Sequence, residues 1–170
     1  CVDLADISVL FFGPEFIGRI EEIADKLIQH RLLIFVGEGT CPTFSEDYIN
    51  MVADSSSQNP GIQLSDDDYG AIYFSSGTTG FPKAILHKHL SLTQAAEMEQ
   101  KHHATGREDN FLCIPPLYHT GAKFHWMGSM VAGSKAVLLK GTKPATILKA
   151  MSDEHCTIAW LLVPWAQDIL

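Results

Sequence analysis

Short apolar runs of strand length recur along this chain with amphipathic stretches between them, and that alternation restricts the fold more than any single residue does. Residues 7–12 form the first run; Gly13-Pro14 breaks it, and Phe16, Ile20, Ile23, Ala24, Leu27 and Ile28 follow at helical spacing. Residues 32–36 read as a buried strand and residues 44–53 as a short helix. Beyond a connection at 54–65, the pattern resumes: strand 71–74, helix 91–101, strand 111–114, helix 122–131, strand 135–139, helix 144–151, strand 157–163, and then a helix in the middle of which the chain stops at 167–170. Strands alternating with helices predict parallel βαβ units with right-handed crossovers. The expected class is therefore α/β, a largely parallel sheet flanked by helices. The 54–65 connection, rich in Ser, Asn, Pro and Gly, is the best internal boundary and separates sub-segments of 1–54 and 66–170.

Directly after the strand at 71–74 comes Ser75-Ser76-Gly77-Thr78-Thr79-Gly80-Phe81-Pro82-Lys83. This is the chemistry of a polyphosphate clamp. Glycine lets backbone N–H groups approach an anion without an intervening Cβ, hydroxyls donate further hydrogen bonds, and lysine adds a mobile positive charge. The Walker arrangement is excluded, because it needs four residues between its glycines and then Gly-Lys-Ser/Thr opening a helix. Here Gly77 and Gly80 are two residues apart, Pro82 precedes Lys83, and Ala84 stands where a magnesium-binding hydroxyl should be. Ala84-Ile85-Leu86-His87-Lys88-His89 alternates apolar and polar residues, so the loop is expected to join two strands.

A strand, a Ser/Thr/Gly loop ending in Pro-Lys and a second strand ended by His89 resemble the phosphate-binding signature of the adenylate-forming superfamily, which includes acyl-CoA synthetases, luciferases and peptide-synthetase adenylation domains. Ala84 departs from the glycine usual there. A second stretch, Ile114-Pro115-Pro116-Leu117-Tyr118-His119-Thr120-Gly121-Ala122, is similar to the Pro-Leu-aromatic-His-x-Gly segment of the same superfamily. The resemblance is greatest to fatty-acid–CoA ligases and covers a slice of their larger amino-terminal, layered domain. The opening on Cys1 and the stop at Leu170 predict an excerpt of a longer protein. Tyr-Gly-x-Thr-Glu, Thr-Gly-Asp, a hinge and a carboxy-terminal catalytic lysine are not found in it, so residues 1–170 alone are expected to be inactive.

The resemblance implies ATP-dependent activation of a carboxylic acid to an acyl-adenylate, then transfer to coenzyme A, with magnesium bridging the phosphates. It places Ser75, Ser76, Gly77, Thr78, Thr79, Gly80 and Lys83 on ATP, with Lys83 catalytic. It places Tyr118, His119, Gly121 and Trp126 at the acyl substrate, with His119 catalytic between the carboxylate and the thiol entry. The helix face around Gly128 lines the acyl pocket on one reading and is purely structural on the other. Amino-acid activators need a buried carboxylate for the substrate ammonium; the segment after His119 offers Lys123 and apolar residues but no Asp or Glu, which favours a neutral acyl tail. Fatty acid leads and aryl acid is the alternative. A kinase or ATPase domain and a non-catalytic nucleotide-binding homologue also stay open.

Twenty acidic against twelve basic residues give a formal charge of −8, which argues against a general affinity for nucleic acid. The four cysteines show no C-x-x-C spacing, and no apolar run approaches the ~18 residues needed to span a bilayer. A cytoplasmic enzyme is expected. His87, His89, His102 and His103 could be drawn as a metal site, but no carboxylate or cysteine partner stands out to complete it, so no metal ligands are expected. Asp66-Asp67-Asp68 reads as a solvated turn. Phe124-His125-Trp126-Met127 is balanced between a buried helix face and an acyl-pocket wall.

Overall fold

The computed structural model describes residues 1–76 and 80–170, so Gly77, Thr78 and Thr79 lie outside the described residues. The chain divides into two units, one of Cys1–Leu64 with Ile72–Leu86 and one of Ser65–Ala71 with His87–Leu170.

In the first unit, β1 (Val9–Phe12) is followed by a single 3-10 turn at Pro14–Phe16, then α1 (Ile17–Glu21), α2 (Ala24–Leu27), β2 (Leu32–Phe35), β3 (Glu46–Asp47) and α3 (Tyr48–Ala53). The amphipathic stretch expected as one helix is interrupted at Ile23, whose φ of −124° and ψ of 3° leave the helical region. Its apolar spacing still serves the core: Leu27 is buried in one cluster with Phe12, Leu33 and Phe35, and Ile17 and Ile20 pack against it. β1 and β3 both pair parallel with β2, with Val9 opposite Leu32 and Ile34 opposite Glu46. The helix expected over 44–53 begins only at Tyr48. Phe44 instead stacks on Phe12, ring centroids 6.0 Å apart, Glu46-Asp47 joins the sheet, and the Asp47 carboxylate accepts the Asn50 N–H at 2.9 Å as an N-cap.

β4 (Tyr69–Ser75) and β5 (Lys83–Lys88) are neighbours in a two-stranded sheet, and each contributes residues to both units. The loop therefore does join two strands. His89, expected to end the second of them, is instead the first residue of the following helix.

The second unit continues with α4 (His89–His102), β6 (Asn110–Cys113), α5 (Thr120–Ala132), β7 (Lys135–Leu138), α6 (Pro144–Asp153), β8 (Ile158–Ala159) and α7 (Val163–Ile169). β6 is central, with β7 and β8 parallel on either side. Covered on both faces, β6 is buried at every residue, which is why it reads as a continuous apolar run after Asn110. Phe111 and Cys113 face Ala122 and Trp126; Leu112 and Ile114 face Ile147. α5 stops at Gly133, whose φ of +70° is the left-handed conformation that glycine adopts without a Cβ penalty. The strand expected over 157–163 shrinks to Ile158–Ala159, because Pro164 cannot donate to a ladder and sits instead in the first turn of α7.

The starts of β6, β7 and β8 are fastened by Asp109. Its carboxylate accepts the Gly106 N–H at 2.8 Å and the Thr157 hydroxyl at 2.7 Å. The same hydroxyl accepts the Asn110 N–H at 2.9 Å, and the Asp109 carbonyl accepts the Lys135 N–H at 3.2 Å. Among the described residues, no helix is long and apolar enough to cross a membrane.

Candidate functional site

Ser75 closes β4 half-buried, and Ser76 after it is exposed. Gly80 holds φ at +80° with open space where a Cβ would stand, so conformation rather than crowding calls for glycine there. Phe81 is 78% exposed, and Pro82 leads straight into Lys83, the first residue of β5, also exposed. Lys83 has no ion pair among the described residues, which leaves its ammonium available to an anion. Thus the described hydroxyls and the lysine flank the loop on its two sides, all within the first unit.

The second motif lies in the other unit, where β6 runs out into buried Ile114 and Pro115. A turn closed by the His119 N–H donating to the Pro116 carbonyl at 3.0 Å then delivers His119 to the N-cap position of α5. Tyr118 and His119 are both exposed, their rings 4.6 Å apart. At Gly121 an added Cβ would come within 3.2 Å of the Trp160 ring, so this glycine seats the first turn of α5 against the residue that follows β8. Trp126 is half-buried and packs against the core cluster of Phe111, Cys113 and Ala122. Gly128 is buried against α4: an added Cβ would lie 3.2 Å from the Ala96 carbonyl oxygen and 3.3 Å from the Gln100 nitrogen. At Gly128 that helix face is covered by α4.

A third constellation escaped the sequence reading. The Glu99 carboxylate, on the last turn of α4, lies 3.2 Å from Nδ1 of His103, the residue that caps that helix, and 3.1 Å from Nδ1 of His125 on α5. The local half of it was legible, since Glu99 and His103 are four residues apart and share a helix face. His125 comes from another helix, and nothing in its neighbourhood in the chain announces the contact. Burial pushes the His125 imidazole below the usual histidine range; the Glu99 carboxylate opposes that shift, His103 adds to it, and the Gly121 backbone opposes it more weakly.

The sequence matches the family described as AMP-binding enzyme over residues 1–170, and the chain belongs to that family. Medium-chain fatty-acid–CoA ligase of Escherichia coli (strain K12) is 24% identical over 168 residues, covering 95% of this chain and 30% of the relative. 4-Coumarate–CoA ligase of Pinus taeda is 27% identical over 156 residues, covering 88% of this chain and 29% of the relative. Among solved structures, ATP-bound MatB from Rhodopseudomonas palustris shares the fold with a TM-score of 0.80 at 21% identity, over 99% of this chain and 32% of that one. The chain spans less than a third of the length of these relatives. The family thus includes CoA ligases of both fatty and aryl acids.

Proposed function

We propose that this chain carries the phosphate loop and part of the acyl site of an AMP-forming acid–CoA ligase whose substrate is a fatty acid. The observation that supports this most directly is the placement of Ser75 at the end of β4 and exposed Lys83 at the start of β5, with only Ser, Gly, Thr, Phe and Pro between them. In the first half-reaction a carboxylate attacks the α-phosphorus of ATP, forming the acyl-phosphate bond and releasing pyrophosphate. In the second, the thiol of coenzyme A attacks the acyl carbon and releases AMP.

The difficulty of the first step is that an anion must approach a polyanion. Hydrogen bonds from Ser75, Ser76, Thr78 and Thr79, with backbone N–H groups at Gly77 and Gly80, would hold the β- and γ-phosphates in one orientation, and Lys83 would offset the charge that grows on pyrophosphate as it leaves. Magnesium enters as part of the MgATP substrate. The loop supplies hydroxyls but no carboxylate, so its own residues would act chiefly on the phosphates.

At the acyl end, His119 at the start of α5 would meet the substrate carboxylate where the helix N-terminus also favours negative charge. Exposed Tyr118 would flank it, Gly121 would keep the first turn slim, and the accessible part of Trp126 would contribute apolar surface. The matching of aryl-acid ligases alongside fatty-acid ligases supports a second reading, in which the tail is aromatic.

Acid-dependent exchange of pyrophosphate into ATP by the whole protein decides between these readings. Fatty acids of graded length are compared with benzoate and coumarate, and AMP and the CoA thioester are measured in the second step. Exchange with fatty acids exceeding that with aryl acids by at least about tenfold is expected. The reverse preference replaces the substrate, and ADP as product, or no exchange with any acid, overturns the reaction.

A further inference from the structure

Glu99, His103 and His125 bring two imidazoles and one carboxylate together between α4 and α5 within the second unit, with one ligand atom from each lying within 4.8 Å of the others. We propose that they bind a divalent transition-metal ion of the zinc class, at a site that ties the end of α4 to α5.

The separations fit such an ion. Metal–nitrogen and metal–oxygen bonds of about 2.0–2.2 Å in a tetrahedral arrangement put neighbouring ligand atoms about 3.3 Å apart. The Glu99 carboxylate oxygen lies 3.2 Å from one imidazole nitrogen and 3.1 Å from the other. The two imidazole rings have centroids 4.5 Å apart, and His103 at the helix end, its side chain 40% exposed, can rotate to close the third edge.

Two of the three atoms are poorly satisfied by other bonding, while His103 Nδ1 also lies 3.1 Å from the Glu99 carbonyl oxygen, a contact the ion would replace. Glu99 Oε2 and His125 Nδ1 are both buried and 3.1 Å apart, and neither completes a well-aligned hydrogen bond among the described residues. A buried acceptor and a buried imidazole nitrogen placed together without hydrogen-bond alignment normally cost stability. An ion between them would satisfy both. Two imidazoles with one carboxylate suit zinc and its first-row neighbours; magnesium and calcium prefer all-oxygen sets. Three protein ligands leave a position for water on the exposed His103 side.

The separation of the three ligands in the chain explains why an ion would matter. Glu99 and His103 come from one helix and His125 from the next, so the ion would close a loop running through β6 and would stabilise the folded form over the unfolded one.

The test is zinc titration of the chelator-stripped protein by calorimetry, with thermal unfolding followed with and without zinc. Wild type, His103→Ala, Glu99→Gln and His102→Ala are compared, the last because His102 is adjacent and not a proposed ligand. Wild type is expected to take one equivalent of zinc and, at a hundred times the dissociation constant, to gain roughly 5 °C or more in unfolding midpoint. His103→Ala and Glu99→Gln should weaken binding by at least about 100-fold and lose the midpoint gain, while His102→Ala keeps both. Magnesium should reproduce neither effect. The exposed position of His103 makes its variant compatible with folding, and Glu99→Gln preserves shape at the second ligand. Absence of stoichiometric zinc in the wild type, equal binding in His103→Ala and Glu99→Gln, equal loss in His102→Ala, or equal response to magnesium each overturns the site. None of these readouts depends on catalytic activity.

Discussion

A Cβ placed on Gly128 would stand 3.2 Å from the carbonyl oxygen of Ala96, so α5 touches α4 backbone to backbone at this point. A leucine there must push the helices apart or unwind a turn. Gly128→Leu is expected to destabilise the protein by about 3 kcal/mol, at the upper end of the overpacking range. Thermal unfolding measures it. The acyl-chain-length profile of any protein that still folds should be unchanged, since the added side chain would enter the interface between helices; a shortened profile at unchanged stability would show that this face lines the acyl pocket.

Asp109 is held below the usual carboxylate range, first by the Gly106 N–H and then by the Thr157 hydroxyl, both of which stabilise the ionised form. With the folded pKa below the unfolded value, the carboxylate contributes stability above the unfolded pKa, and that contribution fades as pH falls through the folded one. Asp109→Asn should therefore lower the unfolding midpoint at neutral pH, with the gap from wild type narrowing as the pH is taken below 3.8, the ordinary value for the group. Unfolding curves of both proteins across that range test it; a gap independent of pH would assign the effect to shape alone.

Lys83→Ala should slow adenylate formation by roughly 100- to 1000-fold, the usual consequence of removing one group that stabilises developing charge. Thioester formation from supplied acyl-AMP should change little, because pyrophosphate takes part only in the first step. Thr78→Val with Thr79→Val should follow the same pattern more weakly. Pyrophosphate exchange and single-turnover thioester formation in the whole protein separate the two half-reactions, and equal losses in both would remove the loop from the phosphate site.

The four thiols should differ sharply in reactivity. Cys1 is exposed, whereas Cys113 is buried in β6, where burial pushes its thiol pKa up; burial, and secondarily Glu154, do the same for Cys156. Alkylation at neutral pH should label Cys1 first and Cys113 at least about 100-fold more slowly, since the latter needs the sheet to open. Mass mapping of labelled peptides over time gives the order. Rapid labelling of Cys113 in folded protein would contradict the packing of β6.

Most of the strand-and-helix order was legible because it follows from local patterns. The run after Asn110 is apolar throughout because β6 is covered on both faces, and the Ser/Thr/Gly stretch with the alternating residues after Lys83 announces a loop between two strands. Periodicity fails where a second element competes. Phe44, Glu46 and Asp47 satisfy a helical pattern, yet Phe44 is claimed by Phe12 and the acidic pair by β2; the run at 157–163 is apolar enough for a strand, yet only Ile158 and Ala159 find a partner strand before Pro164 starts a helix.

The sequence by itself determined the α/β class, the hydroxyl- and glycine-rich loop with its terminal lysine, and the position of His119 just ahead of a helix, because each depends on residues within one or two turns of each other. Tertiary structure alone decided that Gly128 meets Ala96, that Gly121 meets Trp160, and that His125 reaches Glu99. A helical repeat specifies which side chains share a face, but not which element will cover that face. That choice is made by the global packing of elements such as α4 and α5, between residues tens of positions apart; it put a helix contact at Gly128, one of the two readings the sequence left open, and brought His125 to a carboxylate.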